Sequence, residues 1–83
     1  MKRIESYRVL RGFRRLGGTF ALGLISGRND GAIAWDRDQV WVALLRREGE
    51  SRRELMNRLE RELARCLMCN RQVDELHARA EAA

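Results

Sequence analysis

The most regular pattern of apolar positions lies in the C-terminal third of the chain. From Met56 to Ala80, apolar or small residues recur at alternating intervals of three and four, with Asn70 and His77 as the polar exceptions. In a helix this spacing places the apolar residues of successive turns on one side of the helix, as in the heptad repeat of a coiled coil. The pattern predicts one long amphipathic α-helix over residues 51–80.

The start of this helix is marked by Ser51 and Glu54, which have the spacing of a capping box. No Gly or Pro occurs after Gly49 to interrupt the helix. A helix from residue 52 to about residue 80 would be ~43 Å long, whereas a compact chain of this size is only ~30 Å across. The excess length predicts that the helix either extends beyond its own domain or binds a second chain, and a homodimer is the favoured outcome.

The heptad positions identify the surface through which two copies would pair. Asn70 falls at an a position, where a buried Asn fixes register and favours two strands, because its amide is satisfied by a second amide. The first half of the stripe, Met56 to about Leu67, is expected to cover the chain's own sheet, and the part from Asn70 onward to face the partner or to fray. The predicted protein-interface residues are Trp41, Met56, Leu59, Leu63, Cys66, Asn70 and Val73.

The N-terminal half has short apolar runs separated by turn residues. Gly17 and Gly18 lie between two such runs, a pattern that indicates a two-residue β-hairpin. Further clusters of Gly, Asn and Asp mark later turns. The predicted fold is therefore α+β, with a short antiparallel meander in residues 1–49 followed by the long helix, in one domain over residues 1–83. The meander is expected to contain three or four strands, drawn from residues 7–16, 19–26, 32–35 and 39–45.

An all-α fold is the alternative, with three helices and an αα-hairpin at 36–80. Val40 and Leu44 have helical spacing, Asp36 could cap a helix, and Gly49 could end it. Seven glycines in the first 49 residues oppose this alternative, because each Gly costs a helix about 1 kcal/mol relative to Ala.

The last predicted strand places Trp41 on a surface of its own. Since side chains alternate along a strand, Val40, Val42 and Leu44 are expected to face the helix. Trp41 would then be exposed on the opposite face, beside the acidic turn at residues 36–38. An exposed Trp is typical of a protein-contact point.

Charge distinguishes the N-terminal third from the rest of the chain. The net charge is +5, and 16 of the 17 basic residues are Arg. Residues 1–28 contain seven basic residues and one acidic residue, a net charge of +6, so the excess lies there. The planar guanidinium binds phosphate bidentately, although an Arg-rich face is often only solvated. The predicted nucleic-acid-binding residues are Arg3, Arg8, Arg11, Arg14, Arg15 and Arg28.

The composition argues against most enzyme chemistry. His77 is the only histidine, and no glycine-rich phosphate loop with a Lys is present. Cys66 and Cys69 lack the second pair of ligands that a zinc ribbon requires, so they are expected to be half-buried residues of a reducing compartment. We expect no catalytic residues, no metal and no cofactor.

The pattern thus favours a small non-enzymatic binding protein. The leading hypothesis is a regulatory dimer that contacts nucleic acid through the Arg-rich third. The alternative is an inhibitor or accessory protein encoded by a phage or mobile element, which blocks a larger host complex through Trp41 or the helix. The apolar run at residues 16–25 is too short to span a bilayer and no cleavage motif follows it, so a cytoplasmic protein without membrane contact is expected.

Overall fold

The computed structural model describes residues 7–26 and 29–76, which form two helices and a four-stranded sheet. The elements in chain order are α1 (Arg8–Arg15), β1 (Thr19–Ser26), β2 (Asn29–Trp35), β3 (Val40–Leu45), α2 (Arg52–Cys69) and β4 (Val73–Asp74). The strands are ordered β1-β2-β3-β4 across the sheet. The predicted α+β class is confirmed.

The first three strands form an antiparallel meander, but it begins at Thr19 and not at residue 7 as predicted. Asp36 shapes the turn between β2 and β3, because its Oδ1 accepts hydrogen bonds from the amides of Asp38 and Gln39 at 2.8 and 3.1 Å. Residues 40–42 are β-branched and aromatic, as strands prefer, and Val40 and Val42 pair with Trp35 and Ala34 of β2. The all-α alternative is therefore wrong for this segment.

Both helices pack on one face of the sheet and enclose the core. α2 lies against β2 and β3, and α1 fits beside it against β1. Alternate residues of β2 and β3 point toward the helices, as the period of two in a strand requires. The buried core consists of Leu10, Phe13, Ala32, Ala34, Val42, Leu44, Leu55, Leu59, Leu63 and Cys66.

Trp41 is not the exposed residue that strict alternation predicts. It is half-buried and packs against the core, and its Nε1 donates a 2.9 Å hydrogen bond to Oδ2 of Asp36. Val40, which was expected to face the helix, is 41% exposed. The register shifts where Trp35 pairs with Val40, since a β-bulge breaks the alternation there. Val42 and Leu44 face the helix as predicted.

α2 begins where the sequence predicts and ends earlier. The capping box at its N-terminus is present, with the Ser51 hydroxyl accepting from the amide of Glu54 and the Glu54 carboxylate accepting from the amide of Ser51. The helix ends at Cys69, because Asn70 adopts a left-handed conformation with φ 54°. The amide of Arg71 then donates to the carbonyl of Cys66 at 3.0 Å.

The single helix reaching residue 80 is thus incorrect. Asn tolerates the left-handed conformation better than other non-glycine residues, and here that property ends the helix instead of specifying a coiled-coil register. The chain then turns back, and β4 pairs in parallel with β3. His77 and Ala80, the last two heptad positions, lie outside the described residues.

The segment predicted as the first strand, residues 7–16, is instead the helix α1. Gly17 has φ 104°, and the amides of Gly17 and Gly18 donate to the carbonyls of Arg14 and Phe13 at 3.1 and 2.8 Å. These two bonds define a Schellman motif, in which Gly follows the helix. A Cβ on Gly18 would lie within about 2.3 Å of the Phe13 ring. The Gly-Gly pair therefore ends a helix and does not close a hairpin.

A buried arginine ties α2 to the far end of the sheet. Arg58 is 4% exposed, and its guanidinium donates to Glu50, to Glu75 and to the carbonyl of Leu45. The shortest of these contacts, from Nη2 to the Leu45 carbonyl oxygen, is 2.7 Å. Since each of these groups comes from a different segment, Arg58 joins the end of β3, the loop before α2 and the segment after β4.

Candidate functional site

The four arginines of α1 form one continuous exposed surface. The eight residues of this helix include Arg8, Arg11, Arg14 and Arg15 and no acidic residue. At about 100° per residue, these positions fall within an arc of about 120° around the helix axis. All four side chains are exposed, and the apolar residues on the other side of the helix are buried in the core. This surface is named the arginine face.

α1 is held in place from its N-terminus by α2. An eight-residue helix is marginal by itself, and its N-cap residue, Tyr7, makes no side-chain capping bond. Glu60 of α2 supplies the cap instead, because its two carboxylate oxygens accept from the amides of Val9 and Leu10 at 2.9 and 3.0 Å. The Tyr7 hydroxyl donates to Oδ1 of Asn57 at 2.8 Å. The arginine face therefore has a fixed orientation relative to the core.

The charge of the arginine face is not neutralised by the described part of the chain. The ion pairs between described residues are Arg46–Asp30, Arg58–Glu50, Arg58–Glu75 and Arg65–Glu62. None of them involves α1. Arg14 instead lies over the ring of Phe20 in β1, with its Cζ 5.5 Å from the ring centroid, a cation–π geometry. A cluster of exposed guanidinium groups without carboxylate partners is suited to binding an anion.

An apolar groove runs along one side of the arginine face. It has a volume of about 360 Å³ and is lined by Arg8, Val9, Gly12, Phe13, Leu16, Gly18, Asp36 and Leu67. Gly12 opens the wall of α1, since a Cβ at this position would meet no atom within 4 Å. Leu16 is 88% exposed and Leu67 is 41% exposed. The groove is therefore an accessible apolar surface that borders a cationic one.

One acidic residue, Asp36, lines this groove. Asp36 accepts hydrogen bonds from Trp41 and from two backbone amides of its own turn. The hydrogen bond from Trp41, followed by the backbone hydrogen bonds, holds the pKa of Asp36 below its usual value despite the opposing effect of burial. Because hydrogen bonds to the charged form lower a carboxyl pKa, the groove presents a fixed negative group at neutral pH.

The structure separates the two sets of residues that the sequence assigned to sites. Of the predicted nucleic-acid-binding residues, the four in α1 lie together, and Arg3 and Arg28 lie outside the described residues. Of the predicted interface residues, Leu59, Leu63 and Cys66 are at most 2% exposed within the chain's own core. They therefore offer no surface to a second copy.

The remaining predicted interface residues are also used within the chain. Met56 and Val73 are half-buried against the core, and Trp41 is engaged with Asp36. Asn70 ends α2 in a left-handed conformation. The homodimer stays a prediction, but a continuous helical seam from Met56 to Val73 does not exist in this fold.

The sequence reasoning missed the residues that position the arginine face. Glu60 lies about 50 residues from the amides that it caps, and nothing in the local pattern of α2 marks it. Gly12 belongs to the segment predicted as the first strand, although it lies inside α1 and opens the groove. An arginine period of three and four over residues 8–15 was the available signal for a helix with one charged side.

The two cysteines were both expected to be half-buried, but the structure places one in the core and the other at the surface. Cys66 is 2% exposed, and burial, followed by the charge of Glu62, raises the pKa of its thiol. Cys69 is exposed at the C-terminal end of α2. Thiolates are favoured near cations and helix N-termini, and burial disfavours one at Cys66. Packing of the Cys66 side chain against the core is its evident role.

Comparisons with known proteins give no family for this chain. No family model matches, and neither the curated proteins nor the solved structures include a match. Over residues 7–26 and 29–76, no helix is long and apolar enough to cross a membrane. The same residues contain no group of three or more His, Cys, Asp or Glu side chains able to hold a metal ion.

Proposed function

We propose that this chain is a non-enzymatic nucleic-acid-binding protein that contacts the phosphate backbone through the arginine face. The observation that carries this proposal is the arrangement of Arg8, Arg11, Arg14 and Arg15 on one exposed side of α1, without a carboxylate partner in the described chain. Clustered Arg residues release counterions from nucleic acid, which supplies a large part of binding free energy.

The dimensions of α1 fit a short stretch of backbone. From Arg8 to Arg15 the helix rises ~10 Å, which corresponds to the axial rise of about three phosphates on one strand of a duplex. Each guanidinium has a planar set of donors that matches two phosphate oxygens. The cap from Glu60 fixes the helix in advance, so little ordering is required when an anion binds.

A salt series with a labelled oligonucleotide tests the proposal. Fluorescence anisotropy is measured at several salt concentrations between about 50 and about 200 mM. The native chain is compared with a variant in which all four α1 arginines are changed to Gln. If three to four phosphates are contacted, log K should fall with log salt at a slope of about −2 to −3 for a single strand. The variant should lose most of this affinity and most of this slope.

A charge-matched variant separates a specific surface from a general excess of positive charge. Four other exposed arginines, changed to Gln together, remove the same charge from other parts of the surface; they are Arg37, Arg52, Arg53 and Arg61. The proposal requires this variant to retain much more affinity than the α1 variant. Equal losses in the two variants, or no binding at the lowest salt, would overturn it. Circular dichroism checks that both variants fold.

A further inference from the structure

We infer that the apolar groove beside the arginine face receives an unstacked base, which makes single-stranded nucleic acid the preferred ligand. This inference rests on the proposed function and extends it from the phosphate backbone to the bases. It depends on the adjacency of the groove and the arginines, on the shape of the groove and on the charge within it.

The groove and the arginine face share a border. Gly12 lies four residues after Arg8 and three before Arg15, so the three positions are neighbours on the surface of α1. Arg8 also lines the groove itself. A backbone bound along the arginines would therefore run beside the opening at Gly12, where a base turned away from the strand could enter.

The size and lining of the groove suit a planar group. Its volume of about 360 Å³ is at the small end of the range for small-molecule sites. Val9, Leu16 and Leu67 provide apolar contact surface, and the absent side chain at Gly12 leaves room between them. A nucleobase has an apolar face and polar edges, so it can pack on these side chains while its edge reaches the mouth of the groove.

The charge inside the groove selects against an acidic occupant. Asp36 is one of the residues that line the groove, and its negative charge would repel a phosphate or an acidic side chain. The exocyclic amino group of a base is a hydrogen-bond donor, and a carboxylate accepts from such donors. A cationic border with an anionic interior thus fits a phosphate outside and a base inside, and it disfavours the acidic helix that an arginine surface could also attract.

A single strand supplies this ligand directly. In a duplex the bases are paired and stacked, so placing one in a side groove requires that it first be unpaired and unstacked. Single strands present bases that are already free to turn outward, and proteins recognise them by combining a basic path with apolar or aromatic contacts. The native chain should therefore bind a single strand more tightly than the same sequence as a duplex.

The sharpest variant is Gly12→Leu, which fills the groove and keeps all four arginines of α1. A Cβ at this position meets no atom within 4 Å, and replacing Gly in a helix favours folding. Gly12→Ala is the matched control, because it makes the same helix gain and adds only a methyl group. For a mixed-sequence single strand, Gly12→Leu should weaken binding about tenfold, in the range measured for loss of one base contact, and Gly12→Ala should change it little.

An abasic oligonucleotide of the same length provides a test that needs no variant. The native chain should bind it about tenfold more weakly than the base-containing strand, and the Gly12→Leu chain should bind the two strands equally. Equal binding of both strands by the native chain, or tighter binding of a duplex, would overturn the inference. An acidic helical peptide that contains Leu serves as a competitor. If it displaces the base-containing strand at a lower concentration than the abasic strand does, the inference is also overturned.

These outcomes are distinct from failure of the proposed function. If the abasic strand binds as well as the base-containing strand and the α1 arginine variant abolishes both, the groove has no role but the phosphate contact stands. If no oligonucleotide binds the native chain at low salt, both ideas fail together.

Discussion

The two helices of this protein use arginine in opposite ways. α1 carries four arginines and no acid in eight residues, and all four side chains are exposed. α2 carries five arginines and three glutamates. One of these arginines, Arg58, is buried and pairs with the carboxylates of Glu50 and Glu75. The surroundings of an arginine, and not the number of arginines, therefore decide whether it holds the fold together or remains available to a ligand.

The helices also differ in what supports them. α2 has its own capping box and buries five side chains. α1 buries two and takes its N-terminal cap from Glu60 of α2. α2 is thus an integral part of the core, whereas α1 is a short element docked on it. We expect changes in α2 to alter the stability of the whole chain, and changes in the exposed side of α1 to alter binding.

The strongest test of this difference is Arg58→Met. The side chain of Arg58 is 5% exposed and that of Glu50 is 9% exposed, so removal of the guanidinium leaves a nearly buried carboxylate and the Leu45 carbonyl without their donor. Breaking such a pair on one side costs about 3–5 kcal/mol, a large part of the ~4–12 kcal/mol expected for a domain of this size. Urea unfolding followed by circular dichroism measures the loss.

Arg65→Met is the control within the same helix. The side chain of Arg65 is 71% exposed, and it pairs with Glu62 at 3.4 Å. Exposed pairs of this kind contribute about 0–1 kcal/mol. If the two variants lost similar stability, the contrast between buried and exposed arginines would be wrong.

The role of Arg58 shows where the sequence is informative and where it is not. The capping box and the β2–β3 meander were predicted, since both depend on neighbouring residues, and the structure confirms them. The network around Arg58 depends on groups up to 17 residues away. Arg58 is one of five arginines in α2, and no local pattern distinguishes it from the exposed arginines of the same helix.

The free energy of unfolding is expected to depend on pH through Glu50. The hydrogen bond from Arg58 lowers the pKa of Glu50 from 4.5 to about 2. Because the folded pKa lies below the unfolded value, the stabilisation is complete above about pH 4.5 and is lost as the pH falls toward 2. A shift of this size corresponds to at most about 3 kcal/mol. Urea unfolding at several pH values between 6 and 2.5 should show the decline.

Glu50→Gln identifies the source of that decline. The variant should be less stable at pH 6, and its unfolding free energy should change less between pH 5 and pH 3. Asp36, whose pKa is also lowered, contributes a part of the pH dependence of stability in both the native chain and the variant. An unchanged slope in the variant would assign the acid sensitivity to other carboxylates.

The cap of α1 is expected to contribute less. In Glu60→Ala the amides of Val9 and Leu10 lose their acceptor, and loss of a cap typically costs about 0.5–2 kcal/mol. Hydrogen exchange should accelerate at these two amides before the core of α2 is affected. Glu62→Ala is the control, because its carboxylate pairs only with an exposed arginine in the described chain. Equal exchange in both variants would argue that α1 needs no cap from α2.

The errors at the ends of the two helices have one physical origin. Gly17-Gly18 and Asn70 are residues that tolerate left-handed backbone, and both lie directly after a helix. The same tolerance serves a hairpin turn or a helix end, so composition could not distinguish them. Tertiary contacts decide the outcome at α1, where the Phe13 ring packs against Gly18 and Glu60 reaches the helix N-terminus. The arginines were identified from the sequence, but their common face follows only from the helix.

The smallest expected change in stability is also the most informative about function. Arg11→Gln removes an exposed side chain that makes no ion pair with the described residues, so the unfolding free energy should stay within about 0.5 kcal/mol of the native value. The salt slope of oligonucleotide binding should nevertheless become shallower by almost one phosphate contact. A clear loss of stability would show that Arg11 supports the fold, as Arg58 does, and an unchanged slope would remove it from the binding surface. If α1 serves binding and α2 serves stability, an arginine of α1 must be dispensable for folding and required for the salt dependence of oligonucleotide binding.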